Sequence, residues 1–267
     1  MIKDLVSGGN TNPSKILFTR NTPGHGLKWW AEVTVILIFY VIYSFVRNQF
    51  GSAKVAPNKA LANAEKVIDL EKTLGTFKEL QIQKFFIEWE WFIQFWNIFY
   101  GTFHFAVTIF ALIWLYLKFP ERYPPQRSYL LSTTALALIG FSIFPLMPPR
   151  LLSDCGQFGG CLLDQYPFID TLSELGGLWS FDSGTMQKVS NQFAAMPSLH
   201  FSWSFWCCVS LYPVLKKKWS KLLIFIYPVA TLFSVVVTGN HYWIDAVGGI
   251  ICLFCGFYIM KVLANLR

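Results

Sequence analysis

Two residues of the segment HYWID have the types and the spacing of a paired imidazole and carboxylate. His241 and Asp245 are four positions apart, so on a helix they lie on one face, one turn apart. A carboxylate that accepts a hydrogen bond from one imidazole nitrogen fixes the tautomer and leaves the other nitrogen as a nucleophile. The pair stands at the edge of an apolar run, where ionisable groups are costly and usually functional. The pattern favours a nucleophilic histidine, with helix capping by Asp245 as the alternative.

A second candidate lies in the segment AAMPSLHFSW. Pro197 suits a first helical turn, where exposed backbone amides and the Ser198 hydroxyl could bind an anion. His200 would then stand beside a bound phosphate and could protonate a leaving oxygen. In the alternative interpretation, Ser198 only caps the helix and His200 reaches to the membrane interface.

A third candidate is the arginine of FPLMPPRLL. Two prolines end the preceding apolar run, so Arg150 emerges at its end, where a guanidinium could clamp phosphate oxygens and stabilise transition-state charge. Anchoring to a lipid headgroup is the alternative role for Arg150.

Three polar residues also share one face of the apolar run 92–117. Asn97, Tyr100 and His104 lie at i, i+3 and i+7, and they could line a substrate pocket. The alternative is that they are polar groups satisfied between packed helices.

The composition indicates that lipid is the main solvent of the elements that position these residues. Of the 267 residues, 54% are hydrophobic and 14% are charged, against about 25% charged in soluble domains. The net charge of +7 lies in short segments between apolar runs and not on one basic face, so it argues against nucleic-acid binding and for membrane orientation. Six runs approach the roughly 20 residues that a spanning helix needs. They are 29–48, 92–117, 129–147, 198–215, 220–238 and 243–263.

The segment 57–84 has a different pattern. Charged and apolar residues alternate at helical spacing, which predicts one or two amphipathic helices on the membrane surface, although a soluble linker helix would give the same pattern. The sequence therefore predicts an all-α bundle of six transmembrane helices. Residues 1–56 would form an N-terminal tail and the first helix, and residues 57–264 the phosphate-handling domain.

Charged residues between the runs predict the topology. The loops after the second and fourth runs are basic, with Lys118, Arg122, Arg127, Lys216, Lys217, Lys218 and Lys221 against Glu121. The long loop 148–197 is acidic, with Asp154, Asp164, Asp170, Glu174 and Asp182 against Arg150 and Lys188. The positive-inside rule then puts both termini in the cytoplasm and the candidate residues at the outer or lumenal face. An oxidising compartment would favour a disulfide over two thiols for Cys155 and Cys161 in that loop.

The three motifs together resemble a known family. PSLH followed about forty residues later by HYxxD is similar to the type 2 phosphatidic acid phosphatase superfamily. The strings FPLMPPR, NQFAAMPSLH and TGNHYWIDAVGG more closely resemble its inositolphosphotransferase branch, which contains inositol phosphorylceramide synthase. The resemblance extends over about residues 60 to 260. It implies six helices, a phosphohistidine intermediate, and no metal or other cofactor.

The resemblance also implies a role for each matching residue. His241 would be the nucleophile, Asp245 its orienting partner and His200 the acid and base, while Ser198 and Arg150 would hold phosphate. One departure is that Ser234 is followed by Val235, where the wider superfamily carries an arginine. The inositolphosphotransferase branch also lacks that arginine, so the departure favours the branch.

The first hypothesis is a membrane enzyme that transfers a headgroup such as inositol phosphate from a phospholipid to a lipid hydroxyl, a sphingolipid for example. The same histidines would serve a phosphatase that uses water to hydrolyse a lipid or polyprenyl phosphate. Two alternatives without catalysis are a transporter and a lipid-binding scaffold. Few ionisable groups lie in the middle of the apolar runs, which argues against a transport pathway.

Overall fold

The computed structural model describes residues 28–49, 55–176 and 191–266, and within these ranges all regular structure is helical. The α-helices of this described part are α1 (Trp29–Gln49), α2 (Pro57–Leu74), α3 (Glu79–Phe86), α4 (Glu90–Lys118), α5 (Tyr123–Ile143), α6 (Thr171–Glu174), α7 (Leu199–Leu211), α8 (Lys218–Val237) and α9 (Trp243–Asn265). A short 3₁₀ turn covers Pro149–Leu151. Residues 1–27 of the predicted tail, together with Asp182 and Lys188, lie outside the described residues.

Four of the described helices, α1, α4, α8 and α9, are long and apolar enough to cross a membrane, and the chain is a multi-pass integral membrane protein. The two other predicted spans correspond to α5 and α7. Helix α7 has 13 residues, which at about 1.5 Å per residue is shorter than the roughly 30 Å of a hydrocarbon core. Helix α5 is long enough, but its polar residues reduce its hydropathy. The six predicted spans are therefore confirmed as helices, and four of them as candidate spans.

Helix α5 begins six residues earlier than predicted. Prolines at its first turn need no hydrogen-bond acceptor there, and Pro145 follows its end. Arg127, expected in a basic loop, consequently lies inside the helix and forms a buried ion pair with Glu32 of α1. This pair joins the beginnings of α1 and α5, so the two helices start on the same side of the bundle.

The predicted amphipathic segment forms two helices, α2 and α3. Gly75 ends α2 with φ 71°, a left-handed conformation that favours glycine. One face of α2 is buried against Leu146, Met147 and Phe168 in the connections that surround the site. Helix α2 therefore packs against the connections that surround the site, at one end of the protein.

A hydrophobic core lies between α4, α5, α7, α8 and α9. Helix α9 packs against α5 and α7, and α7 also packs against α4 and α8. Trp206, Tyr129 and Leu253 are buried in this core. Large apolar side chains of α8 and α9, such as Phe225 and Tyr258, are exposed, as expected for surfaces that face lipid.

The connection after α5 is closed by a disulfide. Of the two states considered for Cys155 and Cys161, the structure has the disulfide. The backbone N–H of Gly160 donates to the carbonyl of Leu151 (2.8 Å), so this small loop is fixed to the turn that carries Arg150.

Candidate active site

The paired histidine and aspartate lie at the start of α9, but not both within the helix as the sequence predicts: His241 lies two residues before α9, and Asp245 lies in its first turn. Nδ1 of His241 lies 3.1 Å from Oδ2 of Asp245, and the same oxygen accepts the backbone N–H of Tyr242 at 3.0 Å. Asp245 therefore both caps the helix and orients the imidazole. A carboxylate beside Nδ1 favours the tautomer with the proton on Nδ1, which leaves the lone pair on Nε2 for chemistry.

The turn before His241 is fixed by its backbone. The N–H groups of Asn240 and His241 both donate to the carbonyl of Val235. Gly239 has φ 70°, and a Cβ there would lie 2.9 Å from Nε2 of Gln83 and 3.4 Å from Cβ of Arg150. The carbonyl of Gly239 accepts the N–H of Arg150 at 2.8 Å. This turn therefore holds the nucleophile candidate and the arginine next to each other.

His200 stands in the first turn of α7, close to α9. The N–H of Ser198 donates to the carbonyl of Asp245 (2.9 Å). A Cβ at Gly249 would come within 2.6 Å of the Ser198 carbonyl, so the two helices meet where only glycine fits. The ring centroids of His200 and His241 are 5.7 Å apart, the separation of rings that pack edge to face, so the two imidazoles lie side by side.

Ser198 has the capping role that was the alternative interpretation. Its hydroxyl accepts the N–H of Phe201 (3.4 Å), and the residue is fully buried. Ser198 is also not among the described residues that line the cavity beside the histidines. The contacts support a cap, and phosphate binding by Ser198 stays a prediction.

The three polar residues of α4 separate into two groups. The rings of Tyr100 and His104 lie 4.3 Å and 4.1 Å from that of His200, centroid to centroid. Asn97 instead donates to the carbonyls of Thr171 and Gly176, both at 2.8 Å. Tyr100 and His104 therefore pack around the general-acid candidate, whereas Asn97 holds the connection that contains α6.

Arg150 is buried and held by two side chains. Its guanidinium forms an ion pair with Asp170 and donates through Nη2 to Oε1 of Gln192 (2.5 Å). Asp170 in turn caps α6 by accepting the N–H groups of Leu172 and Ser173. A guanidinium fixed in this way needs little reorganisation to meet a phosphate.

A cavity of about 220 Å³ connects these groups. His200, His241 and Arg150 form one part of its lining, and Asn191, Gln192 and Asn240 add amide groups. The other part is more apolar, with Tyr43 and Val46 of α1, Leu138 and Phe141 of α5, and Leu199 of α7 among its residues. The cavity can therefore receive a charged group beside a hydrocarbon segment.

The surroundings of the site contain a phenol held in its neutral form. Burial, followed by the charges of Asp245 and Glu79, raises the pKa of Tyr242 well above its usual value. The hydroxyl group of Tyr242 donates to the carbonyl of Met147 (3.1 Å).

Within the described residues, no group of three or more His, Cys, Asp or Glu side chains could hold a metal ion.

Sequence reasoning missed several residues of the site. Asp170 and Gln192, which hold Arg150, and Asn240, in the turn before the nucleophile candidate, were not singled out. Asp170 gives one usable signal, since an aspartate before TLSE is typical of a helix N-cap. Gln192 has no such local signal, because it meets Arg150 from 42 residues away.

The candidate residues fall within one family match. A family model described as the PAP2 superfamily matches residues 65–259, well over half of the chain. No curated protein sequence and no solved structure matches the chain.

Proposed function

The chain belongs to the PAP2 superfamily, and from this premise we propose that it is a lipid phosphotransferase that acts through a phosphohistidine on His241. One observation carries the proposal. His200, His241 and Arg150 line one cavity, and Asp245 is hydrogen-bonded to the imidazole of His241. These are the groups that a metal-independent displacement at phosphorus requires: a nucleophile, a proton donor and a fixed positive charge.

In the first step, Nε2 of His241 attacks the phosphorus of the donor lipid. A nitrogen–phosphorus bond forms, and the bond to the lipid oxygen breaks. The leaving oxygen takes its electron pair and a proton from His200. Asp245 stabilises the positive charge that develops on the attacking ring, because its carboxylate accepts the hydrogen bond from Nδ1.

In the second step, the roles of the two histidines reverse. His200 takes a proton from the acceptor hydroxyl as its oxygen attacks the phosphorus. The nitrogen–phosphorus bond breaks, and its electron pair returns to Nε2 of His241. Arg150, held by Asp170 and Gln192, stabilises the phosphoryl oxygens in both transition states.

The proposed substrates follow from the cavity and from the motifs. A charged end and an apolar wall suit a phospholipid or a related amphiphile. The motifs are similar to those of the inositolphosphotransferase branch, and Val235 stands at the position of the superfamily arginine, which that branch also lacks. Both observations favour transfer of an inositol phosphate headgroup to a lipid hydroxyl. Hydrolysis by water is the competing activity.

The proposed placement in the membrane has six spans, with α5 and α7 as the two beyond the four apolar helices. Helix α7 would cross together with the residues that follow it, up to about Lys216. Both termini would be cytoplasmic, and the site would face the exterior or a lumen, as the basic loops at 118–122 and 216–221 favour. Residues 57–264 would form the catalytic domain behind an anchor at 1–56.

The test is a product analysis with purified protein in mixed micelles. Phosphatidylinositol is supplied with and without a ceramide acceptor, and phosphatidate is supplied alone. If the protein is a transferase, a new inositol-phosphate lipid should form only when ceramide is present. It should form in the presence of EDTA as well, and His241→Ala should not form it. Release of phosphate or inositol phosphate regardless of ceramide would replace the transferase by a phosphatase. Asp164→Asn, a change at an exposed position, is the control and should behave as wild type. If neither wild type nor this control converts phosphatidylinositol or phosphatidate, the proposed function is wrong.

A further inference from the structure

Two glutamates outside the proposed site are buried beside the catalytic helix. Glu71, in the last turn of α2, is 1% exposed, and Glu79, at the start of α3, is 0% exposed. Both lie in the amphipathic segment, where the sequence pattern places charged residues toward water. Carboxyl groups are almost never fully buried without a partner, so their partners indicate what they do.

Both partners are backbone N–H groups of α9. Oε1 of Glu71 accepts the N–H of Ile244 at 2.9 Å, and Oε1 of Glu79 accepts the N–H of Trp243 at 3.1 Å. Asp245 takes the N–H of Tyr242 just before them. The first N–H groups of a helix have no partner within it, and here three carboxyl groups accept them in sequence. The turn that carries His241 and Asp245 is thus fastened to α2 and α3.

The two carboxyl groups also need a proton between them. Within the described residues, neither Oε2 of Glu71 nor Oε2 of Glu79 receives a hydrogen bond, a costly state for two buried oxygens. Burial first, and then the neighbouring carboxyl group of Glu79, raise the pKa of Glu71 to about 9. Glu71 therefore keeps a proton at neutral pH, which Oε2 can hold and offer to the carboxyl group of Glu79.

Helix α3 also reaches the other half of the site. Gln83 accepts the N–H of Ile169 through Oε1 (2.9 Å) and donates through Nε2 to the carbonyl of the same residue (3.0 Å). Ile169 precedes Asp170, the partner of Arg150. The segment that holds the nucleophile therefore also holds the connection that fixes the arginine.

We infer that Glu71 and Glu79 are positioning residues, a carboxyl pair that shares one proton and fixes the first turn of α9 so that His241 faces the phosphate. The inference rests on the proposed function for the role of His241, but the fastening of α9 can be measured without turnover. Within the described residues, the ionisable groups near the pair are Asp245 and Tyr242 at the start of α9, Tyr166 of the long connection, Lys72 of α2, which donates to the Tyr166 hydroxyl (2.9 Å), and Lys78 before α3. Of these, the carboxylate of Asp245 also raises the pKa of Glu71.

The first experiment compares Glu71→Ala and Glu71→Gln with Glu65→Gln, an exposed position on the same helix. Amide hydrogen exchange is followed in a peptide that covers residues 241–247, and kcat and KM are measured on the same preparations. Glu71→Ala should speed exchange in this peptide and lower kcat by about 10- to 100-fold, because small misplacements of a reacting group are costly. KM should change much less, and Glu71→Gln should restore both readouts to within a few-fold of wild type at pH 7. Unchanged exchange and unchanged kcat in Glu71→Ala would overturn the inference.

The second experiment uses the variant that keeps the shape of the pair. Any alkaline loss that comes from His200, the proton donor of the first step, is common to all three proteins. Beyond it, wild type and Glu65→Gln should lose kcat as the pH rises through about 9, whereas Glu71→Gln, which cannot lose a proton there, should not show this second loss. The same total alkaline loss in all three proteins would overturn the shared proton. If wild type turns over no donor lipid, the proposed function fails, and the exchange comparison still decides whether the pair fastens α9.

Discussion

Oδ2 of Asp245 lies 3.1 Å from Nδ1 of His241 and 3.0 Å from the backbone nitrogen of Tyr242. One carboxylate oxygen thus connects the proposed nucleophile to the helix that carries it. Capping and orientation, which the sequence offers as alternatives, are one arrangement in the structure. The orientation of His241 is therefore coupled to the N-terminus of α9.

This coupling predicts a specific effect of Asp245→Asn. The amide is neutral, and with its NH₂ group in the position of Oδ2 it would present a donor to Nδ1 and no longer accept the N–H of Tyr242. The imidazole would then lose the tautomer that attack requires, and kcat should fall by about 10²- to 10⁴-fold, as in triads that lose their aspartate. Turnover is compared with thermal stability and with Asp69→Asn, an exposed aspartate of α2. Wild-type turnover in Asp245→Asn would contradict the orienting role.

The position of His200 predicts a dependence on the leaving group. His200→Ala removes the proton donor, so esters of poorly leaving alcohols such as lipids should lose about 10²- to 10⁴-fold in rate. An ester of p-nitrophenol, whose oxygen leaves without a proton, should lose much less in the step that forms the phosphohistidine. Single-turnover rates with the two ester classes make the comparison. Equal losses for both would exclude His200 as the acid for the leaving group.

The contacts of Arg150 predict a graded series. Arg150→Lys keeps the charge but loses the planar fork, and kcat/KM should fall about 10²-fold by analogy with the loss of one transition-state donor. Asp170→Asn keeps a hydrogen-bond acceptor but loses the ion pair, so its effect should be smaller, about tenfold.

The matched control for this series is Asp164→Asn, an exposed aspartate in the same connection. It should leave kcat/KM and inhibition by vanadate unchanged, whereas both Arg150→Lys and Asp170→Asn should weaken vanadate inhibition. Full vanadate sensitivity in Arg150→Lys would show that the arginine does not bind the phosphoryl group.

The buried glutamate predicts how stability depends on pH. The pKa of Glu71 is raised from 4.5 to about 9 by burial and by Glu79, so folding takes up a proton between these values. The stabilisation of the folded protein by protonated Glu71 is fully present below about pH 4.5, decreases as the pH rises, and is lost above about pH 9. For one proton, the free energy of unfolding changes by at most about 1.4 kcal/mol per pH unit.

Thermal unfolding in detergent at several pH values checks this sign. Relative to wild type, Glu71→Gln should gain stability steadily from about pH 4.5 to 9, whereas Glu65→Gln should follow wild type. A constant difference between Glu71→Gln and wild type over this range would mean that Glu71 is already ionised in the folded protein.

Much of the site could be predicted because its chemistry is local in the sequence. His241 and Asp245 are four residues apart across the start of one helix, and His200 and Arg150 lie near the ends of apolar runs at the same end of the bundle. The four apolar helices were found in the same way, since length and hydropathy are properties of single segments. The polar helix α5 and the short helix α7 are confirmed as helices, and their crossing of the membrane stays a prediction.

The remaining features depend on contacts between distant segments. Glu71 and Glu79 fit the polar face of an amphipathic pattern, and nothing in that pattern shows that the N-terminus of another helix covers them. Gln192 meets Arg150 only after the connection folds back. Arg127 was counted as a loop charge, because its partner Glu32 lies 95 residues away.

Covalent labelling of His241 tests the central claim most directly. The protein is mixed with phosphatidate or phosphatidylinositol carrying radiolabelled phosphate and quenched before the acceptor step, and the labelled peptide is identified. The mechanism predicts an acid-labile, base-stable label on His241 that is absent in His241→Ala and decays when acceptor is added to wild type. Turnover without any label on His241, or undiminished turnover by His241→Ala, would contradict it.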